Sequence, residues 1–159
     1  MSLFQQPAND EGEVTMPTFA EMFWRLISAE GRSRAAKTVE VFGWLILVEG
    51  TSLVLFPSLA VWLLRLPPLV EQAENYFRLV GLLVSGLGML YVASGRLNAE
   101  GFVFASLLDR PLVPVAMAIL WYLDIIPGPL ALIFTIQDFG SFLWTLSTWR
   151  REARPAYSR

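Results

Sequence analysis

Four long apolar stretches, each able to cross a lipid bilayer, constrain this chain more than any other feature. They cover residues 39–56, 76–94, 111–126 and 130–149. Each holds about 16 to 20 residues, which as helix matches the roughly 30 Å hydrocarbon core of a membrane. The chain is 55% hydrophobic and only 16% charged, and a water-soluble domain of 159 residues has too little interior to hide so much apolar surface. The sequence therefore predicts an all-α fold, a four-helix transmembrane bundle.

Prolines set the predicted limits of these helices. Pro57 ends the first, and the segment SLAVWLLRLPPL after it predicts a short helix at the membrane surface that stops at the Pro-Pro pair. The third stretch is the shortest, and an alternative version of it begins at Phe102 and is kinked at Pro111. In the shorter version Asp109 and Arg110 lie at the inner membrane boundary, where Asp109 caps the helix.

The rest of the chain divides into three parts around the four-span domain, which covers 38–150. Residues 1–17 are polar and acidic and predict a disordered tail, and residues 151–159 form a basic tail. Residues 18–31 predict an N-terminal interfacial amphipathic helix that opens with a T-x-x-E capping box. Its apolar stripe consists of Phe19, Met22, Phe23, Leu26 and Ile27. This helix lies in the headgroup layer, docks on a partner, or folds back on the bundle.

Basic residues predict the orientation of the spans. With both termini in the cytoplasm, ten Lys and Arg residues fall in inner segments and two, Arg65 and Arg78, in outer segments. We therefore expect a protein that is integral to the inner membrane of the cell, with both termini cytoplasmic.

Three ionisable residues within the spans predict a buried polar cluster: Glu49, Arg78 and Asp138. Each acid lies about 12 Å in from the outer end of its span, and Arg78 reaches inward from the outer surface. A lone acid inside a bilayer costs about 2.5 to 3.5 kcal/mol, so these side chains are expected to face one another. The cluster is either a structural lock or a site that shares a proton or holds a cation. At the inner end of the first span, Glu40 is expected to pair with Lys37.

Small residues form a stripe along one face of the second span. Gly81, Ser85 and Gly88 follow the spacing i, i+4, i+7. Helices in lipid associate through close backbone approach, so the stripe predicts a helix-packing groove. The helix that fills it belongs either to this chain or to a partner.

Side chains suited to catalysis or metal binding are scarce. The chain has no cysteine and no histidine, which removes the usual ligands of zinc, copper and haem iron and the commonest proton-transfer residue. Motifs for a nucleophile elbow, a metalloprotease or a phosphate loop are also missing from the sequence. We therefore expect no metal, no cofactor, no enzyme activity and no nucleic-acid partner.

Three segments carry a resemblance to a known family. They read VFGWLILVEG in the first span, FRLVGLLVSGLGMLYVASGR in the second and DFGSFLWTL in the last. Over roughly residues 39 to 150 the layout resembles that of small bacterial four-span proteins of the DoxX-like type. Members of that class are linked to membrane oxidoreductase systems, so the resemblance implies a cofactor-free accessory protein of the bacterial inner membrane.

These features together predict a non-catalytic accessory or structural subunit of a larger membrane complex. Its partners are the lipid bilayer and other membrane subunits or a second copy of itself. The alternative is a small proton- or cation-coupled transporter that uses Glu49 and Asp138. A membrane enzyme that acts on lipids through a carboxylate base is a third possibility, although the sequence shows no activated nucleophile.

Overall fold

The computed structural model describes residues 17–152, and every regular element within them is an α-helix. The seven helices are α1 (Phe19–Ser28), α2 (Arg34–Leu55), α3 (Pro57–Leu64), α4 (Glu71–Arg96), α5 (Glu100–Asp109), α6 (Leu112–Tyr122) and α7 (Gly128–Glu152). The predicted all-α fold is confirmed. The predicted tails, 1–17 and 151–159, lie outside the described residues except at positions 17, 151 and 152.

Four helical segments are long and apolar enough to cross a membrane. They are Arg34–Leu55, Gln72–Arg96, Glu100–Tyr122 and Gly128–Glu152. Short connections make consecutive segments antiparallel, so the starts of α2 and α5 and the ends of α4 and α7 meet at one end of the bundle. We call this the Arg96 end. The opposite end, where the short helix α3 follows α2, is the Pro57 end.

The third membrane segment is longer than the shorter sequence-based version and contains a break. It begins at Glu100, and α5 gives way to α6 at Arg110 and Pro111. Proline has no N–H to donate to the carbonyl of Leu107, and its ring crowds that carbonyl, so a regular helix cannot continue through it. The prediction that the span starts at Pro111 is wrong, and the longer, kinked alternative describes the structure. Asp109 therefore ends α5 and caps no span.

The helices pack unevenly around one another. α2 contacts α4 along most of its length, and α7 contacts α6 and α2. The main hydrophobic core lies in the half near the Arg96 end and consists of Ala35, Ala36, Val39, Phe42, Ile46, Tyr91 and Val103. Among the described residues α6 contributes none that is buried, and its principal contacts are with α7 and α5. The bundle is therefore closed where α5 packs and open beside α6.

Two carboxylates stabilise helix starts. Glu21 accepts a 2.8 Å hydrogen bond from the backbone N–H of Thr18 and completes the predicted capping box of α1. That bond lowers the pKa of the Glu21 carboxyl below its ordinary value, so the stabilisation is present above that value and is lost as the pH falls through the folded pKa. Glu152 accepts from the backbone N–H groups of Arg34 (2.5 Å) and Ala35 (3.2 Å), where the α2 dipole is positive. This contact joins the end of α7 to the start of α2.

Candidate functional site

The small-residue groove of α4 is filled by α2. A Cβ atom built on Gly81 would lie 2.8 Å from the carbonyl oxygen of Gly50, and one built on Gly88 would lie 2.5 Å from the backbone nitrogen of Leu47. Ser85 also lies against Gly50, since a Cβ there would meet the Ser85 hydroxyl oxygen at 2.7 Å. The helix in the groove therefore belongs to this chain, and the groove is an internal packing surface.

Both helices of this pair carry small residues at seven-residue intervals. The two sets are Gly81, Gly88 and Gly95 on α4, and Ala36, Gly43 and Gly50 on α2. Seven residues make two helical turns, so each set forms a continuous seam facing the other helix. Close backbone approach along the whole seam makes α2 and α4 one rigid pair that supports the polar groups of the bundle.

A three-residue network at the Arg96 end ties α1 to this pair. Arg32 donates through Nη1 to one carboxylate oxygen of Glu40, and Arg96 donates through Nε to the other at 3.0 Å. The same arginines hold α1, because Arg32 Nε donates to the Ala29 carbonyl at 2.6 Å and Arg96 Nη1 donates to the Leu26 carbonyl at 3.4 Å. We call Arg32, Glu40 and Arg96 the anchor network.

The predicted pair of Glu40 with Lys37 is wrong. Lys37 points to the surface, whereas Glu40 faces α4 and belongs to the anchor network.

Glu40→Gln is expected to lower the free energy of unfolding by about 1 to 3 kcal/mol, since two guanidinium groups lose a charged acceptor. Limited proteolysis should then cut faster at the turn between α1 and α2. Lys37→Gln is the matched control and should leave both measurements unchanged; equal effects of the two substitutions would contradict the network.

Arg110 is the largest side chain that the described part of the chain buries completely. Its guanidinium carbon lies 4.1 Å from the ring centroid of Phe42 and 5.3 Å from that of Tyr91. Its Nη1 donates to the Thr145 hydroxyl at 2.9 Å, and that hydroxyl shares a 2.8 Å hydrogen bond with Thr38. Aromatic rings and hydroxyl groups from α2, α4 and α7 therefore surround one cation.

One edge of the Arg110 guanidinium is left without a hydrogen-bond partner among the described residues. The two free nitrogens, Nε and Nη2, point the same way, in the arrangement that binds a carboxylate through two parallel bonds. Asp138, which is 9% exposed, lies on α7 two helical turns before Thr145. Within the described structure the ion pairs that form involve other residues. We call Arg110, Asp138, Thr145 and Thr38 the polar centre.

The structure does not bring Arg78 to Glu49 and Asp138, so that part of the predicted cluster is wrong. Arg78 instead donates to Glu74, one turn earlier on α4, at 2.7 Å, and its side chain is 47% exposed. An arginine this near a helix end reaches the headgroup layer at less cost than the middle of the bundle. The arginine that the described part of the bundle buries is Arg110, which the shorter version of the third span placed at the membrane boundary.

Glu49 is half-buried and accepts a 2.9 Å hydrogen bond from the side-chain amide of Gln137. Gln137 directly precedes Asp138 on α7, so this bond brings Glu49 to the same level of α7 as Asp138. Gln137 also lines a mainly apolar groove of about 570 Å³ between α2 and α7. We call it the α2/α7 groove, and its lining includes Val41, Leu45, Ile136, Gln137, Gly140 and Trp144.

No family model, no curated protein and no solved structure matches this chain. The resemblance to DoxX-like proteins therefore stays a prediction. Function has to be inferred from three features of the chain itself, which are the polar centre, the α2/α7 groove and α1.

The acidic side chains do not gather into a metal site in the part of the chain that the structure describes, where no three potential ligands lie close enough to share an ion. Glu49 and Asp138 supply two carboxyl groups, and the buried charge of Arg110 repels a cation from the second. Chemically, the arrangement accepts and donates hydrogen bonds and pairs charges in a medium of low dielectric constant.

The predicted apolar stripe of α1 is not packed into the bundle core. Three of its residues, Phe19, Phe23 and Ile27, are exposed. The other two, Met22 and Leu26, are partly buried. Trp24, beside the stripe, is 68% exposed. The anchor network holds these aromatic and aliphatic groups at the Arg96 end, at the level where the membrane segments begin and end.

Gln137 and Tyr91 are among the residues of the site that the sequence did not single out. Gln137 carried a usable signal, because an uncharged amide inside a membrane segment is expected to find a polar partner. Tyr91 carried none, since aromatic residues near the ends of membrane segments are common and are typical of the membrane boundary. Its role depends on Arg110, which lies in a different helix pair.

Proposed function

We propose that the protein is a non-catalytic membrane subunit that works by associating with another membrane-spanning chain. The observation that carries this proposal is the half-buried pair of Glu49 and Gln137 at the membrane-facing α2/α7 groove. A helix that only lipid covers gains nothing from a carboxyl group at that depth, whereas a neighbouring chain can supply a hydrogen-bond donor. The open side of the bundle beside α6 supports the same proposal.

The proposal places the four spans in the inner membrane, with the Arg96 end and both termini in the cytoplasm. Since Arg110 lies inside a span, the ten inner basic residues become nine, against two at the outer side. The excess of basic residues at the inner side therefore stays strong without Arg110 and still supports this orientation of the spans. α1 would lie at the cytoplasmic surface, where its exposed aromatic residues meet the headgroup layer.

The mass of the native assembly tests the proposal. After extraction in a mild detergent, we expect the 17.9 kDa chain to migrate in a larger complex that contains a second membrane polypeptide in fixed ratio. Native mass spectrometry with identification of the components measures this directly. A homogeneous monomer with no second polypeptide, from membranes solubilised under several mild conditions, would refute the proposal.

The alternative function, cation-coupled transport through Glu49 and Asp138, has less support from the arrangement of charges. Arg110 donates to Thr145, which lies two helical turns closer to the Arg96 end than Asp138, and its cation is fully buried. A cation that passed from Glu49 toward that end would meet a positive charge in a medium of low dielectric constant. We therefore propose association with a partner as the function, and assign the polar centre a structural role within it.

A further inference from the structure

A carboxyl group within the membrane, that of Glu49, lies at one end of the mainly apolar α2/α7 groove, bonded to the lining residue Gln137. Glu49 lies about 22 Å from the start of α2 and about 9 Å from its end, well inside the hydrocarbon layer. Leu45, one turn earlier on the same face of α2, lines the groove, and Gln137 lines it from α7. The hydrogen bond between Glu49 and Gln137 therefore closes one end of the groove with a polar group.

Glu49 retains most of its capacity to accept hydrogen bonds. A carboxylate has about four acceptor positions, and the one donor that it meets among the described side chains is the Gln137 amide. Glu49 is only half-buried and lies one turn beyond the lining residue Leu45, so an occupant that extends past Leu45 can reach its remaining acceptor positions. A carboxylate with free acceptor positions binds an occupant that donates hydrogen bonds and, by charge complementarity, carries a positive charge.

The wall of the groove admits the backbone of a helix. A Cβ atom built on Gly140 would have no atom within 4 Å, unlike one on the glycines of the α2 and α4 seam. Gly140 lies between Ile136 and Trp144 at four-residue intervals, so the three form one face of α7 with a notch at its centre. Small residues at such a place allow two membrane helices to approach closely.

Resting on the proposed function, we infer that the α2/α7 groove binds a transmembrane helix of a different chain that carries a lysine or arginine at the depth of Glu49. Its apolar residues would lie against Leu45 and Ile136, and its backbone would pass over Gly140. The cation would then form a buried pair with Glu49, while Gln137 holds the carboxylate in place.

A second copy of this chain does not supply that cation. In the same orientation its Arg78 lies at the depth of Val54, about 7 to 8 Å from the level of Glu49, and is paired with Glu74. Arg110 is completely buried in its own bundle. An acyl chain of a lipid fills an apolar groove but offers Glu49 no donor.

Designed membrane peptides test this inference on the purified full-length protein in lipid bicelles. Two leucine-alanine helices differ only at the position that lies at the depth of Glu49, about 9 Å from the outer end of the helix, which is lysine in one and leucine in the other. By fluorescence energy transfer, we expect the lysine peptide to bind about tenfold more tightly, since an interhelical polar contact in a membrane is worth up to that factor. Glu49→Gln should remove the preference, because the amide keeps the shape of the side chain and loses its charge.

A matched pair of glycine substitutions tests the location. Gly140→Leu fills the notch and should abolish binding of both peptides, whereas Gly86→Leu, at a glycine of α4 that also has no atom within 4 Å of its Cβ position, should change nothing. Equal binding of the two peptides, as expected if a lipid chain occupies the groove, would overturn the inference. So would a lysine preference that survives Glu49→Gln.

The same variants separate this inference from the proposed function. If the native complex contains a second polypeptide and Gly140→Leu leaves that complex intact, the groove is not the site, and the inference fails while the proposed function stands. If no native complex exists but the lysine peptide still binds through Glu49, the proposed function fails and the chemistry of the groove stands.

Discussion

Replacing Arg110 with leucine is expected to lower the free energy of unfolding by about 1 to 3 kcal/mol, because it removes the cation around which a completely buried polar site is built. The substitution also removes the contacts of the guanidinium with Phe42 and Tyr91 and the hydrogen bond to Thr145. Unfolding by SDS in mixed micelles, followed by circular dichroism, measures the loss.

Two further variants separate charge from shape. Arg110→Lys keeps the charge but loses the planar group that stacks between two rings, so we expect an intermediate loss. In the double variant with Thr145→Val, the cost of Arg110→Leu should fall by up to about 1 kcal/mol, since the hydroxyl group that accepts from Arg110 is then absent. Strict additivity of the two substitutions would show that Arg110 and Thr145 do not stabilise each other.

Arg78→Leu is the matched control for Arg110→Leu. Both arginines lie in membrane segments, but the Arg78 side chain is 47% exposed and forms a pair with Glu74 one turn away on the same helix. Exposed pairs of this kind contribute less than about 1 kcal/mol, so the control should be nearly neutral. Equal losses for the two substitutions would favour the cluster of Glu49, Arg78 and Asp138 that the sequence predicted.

The fold could be predicted from the sequence because the features that determine it are local. An apolar run of the right length predicts a membrane helix wherever it occurs, and Pro57 interrupts the first run for reasons of covalent geometry. The capping box of α1 likewise involves residues three positions apart. Each of these features was predicted from a window shorter than the helix it defines.

The polar centre could not be predicted from the sequence, because the residues that form it are far apart in the chain. Hydropathy placed Asp109 and Arg110 at a membrane boundary, because two charged residues that follow a mostly apolar stretch are typical of the end of a span. Its true position depends on rings contributed by α2 and α4 and on the hydroxyl of Thr145 in α7. The spacing of polar residues along α7 correctly predicted that Asp138 is buried, but depth and facing alone did not show that the buried arginine is Arg110.

Replacing Gly88 with alanine is expected to destabilise the protein by about 1 to 3 kcal/mol, although alanine is the better helix former. The added Cβ would lie 2.5 Å from the Leu47 nitrogen and 2.7 Å from its Cα, both of them backbone atoms. A flexible side chain can rotate away from such a contact, whereas backbone within a helix cannot. α2 and α4 must therefore separate, and dispersion contacts along the seam are lost.

Gly86→Ala, two positions earlier on α4, is the matched control. A Cβ there has no atom within 4 Å, so only the higher helix propensity of alanine over glycine acts. We therefore expect the free energy of unfolding to rise by up to about 1 kcal/mol. The two substitutions make the same chemical change in the same helix and should have opposite signs in SDS unfolding. If both stabilise, α2 and α4 do not meet along the seam, and the rigid pair that positions Arg110, Glu40 and Glu49 does not exist.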